Sequence, residues 1–401
     1  MTASRVEGRP GRWRRRPACM LVNDVVELTH LTGGGQILDF HFHDAAEMNP
    51  FWIPHWKLRD PMRFRPGRDE AIYGPRATGR VLSAIAGHSL CLGIFGMPSE
   101  QEILAGSVLH GEAGVQRWNA EATSGAESGE LRFTLPLPAS GLEFSRTVSL
   151  RAGESVIRIS ETVRNRLDVD QFLQWQQHVA LAPPFASGEA CVLTLPGQRG
   201  LTDPGGYEGH ELLVRAAEFD WPLAPGAGGE AIDLRVPFQK PGAGFVAGVQ
   251  VDPGRERGFV CAANAARNLA FGYVFPRSRF PWVTLWEENR SRASAPWEGR
   301  EQVRALEFGV SALPLGRAET IRRGDIFGTP TMALVPARGE VGATYLVFLA
   351  RLPAEAPCVA DIECGENELR LLALTGNAIS VLPASRVQEF LGRKGDERSE
   401  F

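Results

Sequence analysis

The sequence predicts an all-β protein, a large sandwich of mostly antiparallel sheets. Three observations carry that prediction. Short runs that alternate or are rich in β-branched residues, bounded by turn residues, recur along most of the 401 residues. Convincing amphipathic helices are almost absent, so the strands lack the crossovers that a parallel sheet needs. No segment repeats at a fixed interval, which argues against a propeller or a β-helix.

The elements follow in order. Residues 1–19 hold a basic run, Arg12-Trp13-Arg14-Arg15-Arg16, that would suit a twin-arginine signal, but no apolar stretch follows it before Leu21-Val22. This segment is expected to be a disordered lead-in, with Met20 as an alternative start. A basic nucleic-acid arm is the sharper alternative. Residues 25–31 and 36–43 read as strands on either side of a turn at Gly33-Gly34-Gly35. No helix follows those glycines, so they are not a phosphate-cradling loop. His41 and His43 alternate on the second strand and would make half a metal site at most. With no third ligand close by, they are read as polar residues of one face.

Further strands are expected at 89–95, 131–137 and 142–150. Residues 146–150 and 155–159 read as a hairpin around Arg151-Ala152-Gly153-Glu154, and 245–251 with 258–263 as another across Asp252-Pro253-Gly254-Arg255. Residues 196–244, rich in Gly and Pro, are expected to form long surface excursions. Residues 343–349 read as a late strand with no linker before it, so 20–387 is expected to be a single domain. The best short helix spans 385–391, and 388–401 is a charged tail.

Composition narrows the function. Hydrophobic residues make up 43% and charged residues 22%, with a formal net charge of -4. That balance argues against a general role on nucleic acid or an anionic membrane, and no apolar run is long enough to span a bilayer. The six cysteines show no CxxC pair and no metal-ligand spacing, so they read as buried free thiols of a reducing, cytoplasmic compartment.

The residues that could carry chemistry lie on strand faces. In Ala305-Leu306-Glu307-Phe308-Gly309-Val310-Ser311, Leu306, Phe308 and Val310 share the core parity. Glu307 points the other way among small neighbours, with the open space in front of it that a general base needs. In residues 171–181, Leu173, Trp175, Val179 and Leu181 take one face; Gln174, Gln176 and His178 take the other, which carries no charge and suits neutral hydroxyls. His110 and Glu112 share a face around Gly111, which permits close backbone approach. Trp52, Trp56, Trp118 and Trp286 could stack on an apolar face of a ligand. Trp286 is favoured because it shares a face with Trp282 and Thr284, opposite Val283 and Leu285. Each of these residues taken singly also fits a structural role; their number is what points to a site.

The ordered set His110-Gly111, Trp118, His178 and Leu306-Glu307 resembles the galactose mutarotase (aldose 1-epimerase) superfamily. The stretches 28–35, 48–52, 146–165 and 280–286 are similar to that family as well, and the resemblance covers roughly residues 22–314. It implies a β-supersandwich with a sugar groove on a concave sheet. It also implies Glu307 as general base, His178 as acid to the ring oxygen and His110 as an assisting donor, with Trp118 and Arg80 (or Arg76) on the substrate; the strand faces add Glu112, Gln176 and Trp286 there. No cofactor or metal is implied; the partner would be a small carbohydrate. The chain departs from the family in three places. The usual aspartate falls near Val246, with Asp220 and Asp252 as weak substitutes. Gln177 precedes His178 where an asparagine is usual. Trp286-Glu287-Glu288-Asn289-Arg290 is an added polar cluster. An aldose 1-epimerase-like isomerase is therefore the first reading, and a non-catalytic carbohydrate-binding protein on the same fold the second. A polysaccharide lyase or hydrolase ranks third, because the chain has no room for the helical toroid domain such enzymes often carry.

Overall fold

The computed structural model describes residues 5–392. Two large sheets pack face to face. The larger has thirteen strands, and its centre runs Ile37–Phe42, His88–Gly93, Gln171–Leu181, Gln302–Gly309, Trp282–Asn289, Ala243–Val251. The other has eight, in the order Cys191–Thr194, Arg257–Asn264, Leu269–Pro276, Glu340–Arg351, Val156–Asn165, Leu142–Arg151, Ser128–Leu137, Asn119–Thr123. Pairing is antiparallel almost throughout; His210–Glu211 runs parallel to Ala243–Val251. The all-β sandwich is as the alternating runs require.

Alternation also decides what lies between the sheets. Val283, Leu285, Leu306, Phe308, Trp175 and Val179 from the large sheet meet Val163, Phe271, Tyr273 and Tyr345 from the small one in a continuous core. Each such side chain contributes about 1.5–3 kcal/mol by leaving water. A polar cluster sits inside that core. Arg146 Nε donates to Glu161 Oε1 at 2.7 Å, and Tyr345 donates to the same oxygen at 2.8 Å. Glu161 Oε2 accepts from Trp175 Nε1 at 3.1 Å and Gln177 Nε2 at 2.7 Å. His88 Nε2 is 2.9 Å from Gln177 Oε1 and its Nδ1 is 2.9 Å from the Tyr273 hydroxyl. Arg146 and Glu161 are both completely buried.

Two expectations are corrected. The lead-in is not disordered over its described length: Glu7–Trp13 pairs antiparallel with Arg16–Val22 in full register, and Gly8 N donates to Ser124 Oγ at 3.0 Å. Backbone pairing, which ignores side-chain type, holds this basic and glycine-containing segment as an edge strand. The segments 245–251 and 258–263 are not a hairpin. Ala243–Val251 lies in the large sheet beside Trp282–Asn289, whereas Arg257–Asn264 lies in the small sheet beside Leu269–Pro276. The Asp252-Pro253-Gly254 turn therefore passes from one layer to the other. Both strands are buried along almost their whole length, so each finds its neighbours within its own layer.

Two further layers flank the sandwich. A three-stranded sheet, Asp361–Cys364, Glu368–Leu372 and Ala378–Pro383, covers the outer face of the eight-stranded sheet through Leu369, Leu371, Leu382 and Val387. The expected helix at 385–391 is a single turn, Val387–Phe390. The tail expected from 388 onward lies outside the described residues beyond 392. The outer face of the thirteen-stranded sheet is covered by short helices, Glu70–Tyr73 and Arg76–Leu82, and by loops that bring in Trp52, Trp56 and Trp297. The candidate site lies beneath that cover.

Candidate active site

Strand register assembles the site. Gln177 is paired with Phe308 and Ser89 with His178, while Thr284 is paired with Glu307 and Gly248 with Thr284. Ser89, His178, Glu307, Thr284 and Gly248 thus form one row across five strands, on the face away from the sandwich core. His178 Nε2 lies 3.7 Å from Glu307 Oε1. Both residues are only 3% exposed. Glu307 Oε2 and His178 Nδ1 are buried with no hydrogen-bond partner. A buried polar atom without a partner costs free energy, and such atoms gather where a ligand completes the bonding.

Electrostatics follow from that burial. Desolvation pushes the Glu307 carboxyl well above its usual range, which favours its protonated form. Desolvation also lowers His178 to about 3 and His110 to about 4, with the neighbouring imidazole adding to the effect at His178. Both rings are neutral near pH 7. These shifts favour a Glu307–His178 pair that carries one transferable proton.

His110 joins the pair by an unusual backbone. Its φ is +63° and that of Gly111 is +79°, and a left-handed non-glycine residue costs energy that surrounding contacts must repay. Here the His110 carbonyl accepts from Leu92 N at 3.2 Å, and its ring Nδ1 is 2.7 Å from Phe95 O. A Cβ at Gly111 would collide with the Leu92 carbonyl oxygen, which is why glycine follows the histidine. The His110 ring lies 5.3 Å from that of His178. Cys91, also buried, faces the same side, opposite Gln176 in register.

No family model matches the sequence, and no curated protein matches it. Solved structures do match. A candidate aldose 1-epimerase from Klebsiella pneumoniae superposes with a TM-score of 0.59 at 13% identity, over 84% of this chain and 80% of that one. A galactose mutarotase-like protein from Clostridium acetobutylicum gives 0.56 at 12% identity, over 86% and 98%. A TPR-domain containing protein from Parabacteroides distasonis gives 0.55 at 10% identity; it covers 92% of this chain, which spans about half (52%) of that protein. The fold is galactose mutarotase-like.

Within this mutarotase-like fold the expected site residues divide. Glu307, His178 and His110 come together. Trp286 joins them, its ring 5.7 Å from that of His178. Gln176 lies on the same face but is fully occupied: its amide nitrogen donates to Glu307 O at 2.9 Å and Ser311 O at 3.2 Å, and its oxygen accepts from Ser311 N. It is a strut beneath Glu307. Three residues lie elsewhere. Glu112 turns away to hold the 137–142 turn, accepting from Ser140 N and Ser140 Oγ at 2.9 Å. Trp118 faces the sandwich core against Phe133 and Phe144. Arg80 ties its helix to neighbouring loops through Val115 O at 2.9 Å and Pro61 O at 3.3 Å.

The open space expected before Glu307 is filled. The Gln176 amide occupies the gap over Gly309, and tryptophans pack over Ala305. Val246, where the family's aspartate is expected, is opposite Trp286 in register and so shares its face. Asp252 is engaged in its own turn, with Gly254 N at 2.9 Å. Asp220 is exposed on an edge strand. His41 pairs with Asp39 at 2.7 Å and His43 with Asn23 O at 2.8 Å.

The structure adds residues that periodicity does not show. Trp286 Nε1 donates to the Tyr207 hydroxyl, which donates to Glu288 Oε2, each at 2.8 Å. Arg292 stacks over Tyr207, Trp286 and Trp297, within 4.7–5.7 Å of the ring centroids. Tyr207 lies in the Gly- and Pro-rich stretch, where no strand pattern marks a residue as inward-facing. Glu288 belongs to the polar cluster after Trp286, and that cluster was the available signal.

Proposed function

We propose that this protein interconverts the anomers of an aldose by general acid–base catalysis of ring opening and closure. The observation that carries this reading is the buried Glu307–His178 pair on adjacent strands, with one unpartnered polar atom on each side chain. Mutarotation needs a proton removed from the anomeric hydroxyl and one delivered to the ring oxygen, with no net change. A one-proton pair suits that task. Sugar hydroxyls donating to Glu307 would stabilise its carboxylate and shift the proton to His178. Glu307 then takes the anomeric proton while His178 protonates the ring oxygen, and the C1–O5 bond breaks. Rotation about C1–C2 and the reverse transfers close the other anomer. His110 would hydrogen-bond the sugar, and Trp286 would offer it an apolar face. Because the pair is closed off, the covering loop that carries Trp297 must shift to admit the sugar.

Exchange-spectroscopy NMR on a panel of aldoses tests the proposal. Wild type should accelerate anomer exchange. Glu307→Gln should lower the rate by roughly 10²–10⁴-fold, the usual weight of a general base, while keeping fold and sugar binding. Equal rates in the two proteins would remove Glu307 from the chemistry. A second reading, a sugar-binding protein without turnover, is favoured by Val246 standing where an acid is expected; line broadening without acceleration on any sugar would select it.

A further inference from the structure

A second concavity lies at one end of the sandwich, away from the Glu307 row. Its volume is about 460 Å³, within the roughly 300–1,000 Å³ of small-ligand pockets. The floor is Trp175 and Val310, tied by a Val310 N to Trp175 O bond of 3.0 Å. The roof is the 328–334 segment, which supplies Met332 and Leu334. That roof is pinned from outside: Trp282 Nε1 donates to Pro330 O at 2.9 Å and Gln250 Nε2 to Thr329 Oγ1 at 2.7 Å. The pocket is therefore preformed, which lowers the ordering cost of binding.

Its lining chemistry is asymmetric. The body is apolar, and the Trp175 indole N–H is already given to Glu161 on the far side. A sugar placed there would leave hydroxyls unpaired, at a cost. The turn between Leu269–Pro276 and Trp282–Asn289 brings Arg277 to the wall, its Nε 3.5 Å from Val251 O. The Arg277 guanidinium at one wall of a largely apolar pocket favours an anion.

We infer that this pocket binds a small amphipathic anion, an aliphatic monocarboxylate with its chain under Met332 and Leu334 and its head group at Arg277. The site is separate from the proposed sugar site, since Trp175 faces the sandwich interior and His178 the opposite side of the same strand. It stands or falls independently of the mutarotase reading.

Isothermal titration of the full chain with octanoate and with 1-octanol tests it. Octanoate should bind saturably at one per chain, and octanol at least tenfold more weakly. Met332→Trp and, independently, Leu334→Trp should each weaken octanoate at least tenfold by filling the pocket; both side chains are only partly buried, so the fold should tolerate them. Arg277→Gln should bring octanoate down to the affinity of octanol. Absence of saturable binding, or binding untouched by both filling variants, overturns the site. Octanol binding as tightly as octanoate overturns the anionic specificity.

Discussion

At the scale of single residues, one strand presents two neighbouring side chains to opposite surroundings. Gln177 faces the sandwich interior and shares Glu161 with Arg146 and Tyr345; His178 faces out and meets Glu307. Burial favours the protonated carboxyl and the neutral imidazole in the outer pair. The consequence is measurable. Because the pair acts with one proton, kcat/KM for anomer exchange should fall as pH rises through the Glu307 pKa, where that proton is lost, and this limb should lie well above the ordinary carboxylate pKa of about 4.3. A limb at ordinary carboxylate pH would mean that Glu307 is hydrated and ionised in the free enzyme.

At the scale of elements, positions are set by contacts that sequence pattern reads unevenly. The His110-Gly111 turn shows this. Replacing Gly111 by Ala would force a Cβ onto the Leu92 carbonyl at a φ of +79°. The variant should lose about 1–3 kcal/mol of stability and displace His110, so the rate should fall beyond what the folded fraction explains; an unchanged urea midpoint would show that the turn relaxes freely. Parity alone placed Gln176, His178, Trp286 and Glu307 on one face, because a strand's period of two leaves little choice. It could not show that Gln176 is spent on the Ser311 backbone, that Glu112 turns toward Ser140, or that Trp118 faces the core, because those outcomes depend on which loop arrives opposite each side chain. The Glu7–Trp13 strand was illegible for a different reason. Its sequence, Glu-Gly-Arg-Pro-Gly-Arg-Trp, lacks β-formers other than the last residue, and backbone pairing to Arg16–Val22 supplies what side chains do not. The Asp252-Pro253-Gly254 turn reads equally well as a hairpin or as a passage between layers, and only the neighbours of its two strands distinguish them.

At the scale of the whole molecule, two sheets are joined by an apolar core with an ionic centre, and acid should expose that design. Glu161→Gln leaves Arg146 buried without its counter-charge and should cost about 3–5 kcal/mol; a urea midpoint near that of wild type would show that water reaches the cluster. Four histidines are held neutral. Burial lowers His30 and His88 well below their usual range, with Arg146 adding to the effect, and brings His110 to about 4 and His178 to about 3. In the unfolded chain each takes up a proton near pH 6.5. Between that pH and its folded pKa the unfolded state binds more protons, so each histidine lowers stability by up to about 1.4 kcal/mol per pH unit as pH falls. Glu307, Glu287 and Asp203, all raised by burial, act in the opposite sense, because the folded state holds their protons first, as does His41, raised by Asp39, above pH 6.5. Four histidines against three carboxyls leave a net loss from pH 6.5 down to the carboxylate range. The urea midpoint should therefore be lower at pH 5 than at pH 7.5, and His88→Gln should flatten that dependence by one proton's worth. A midpoint that does not move between the two pH values would mean that these rings take up protons in the folded state, and that the interior is wetter than the packing of the two sheets implies.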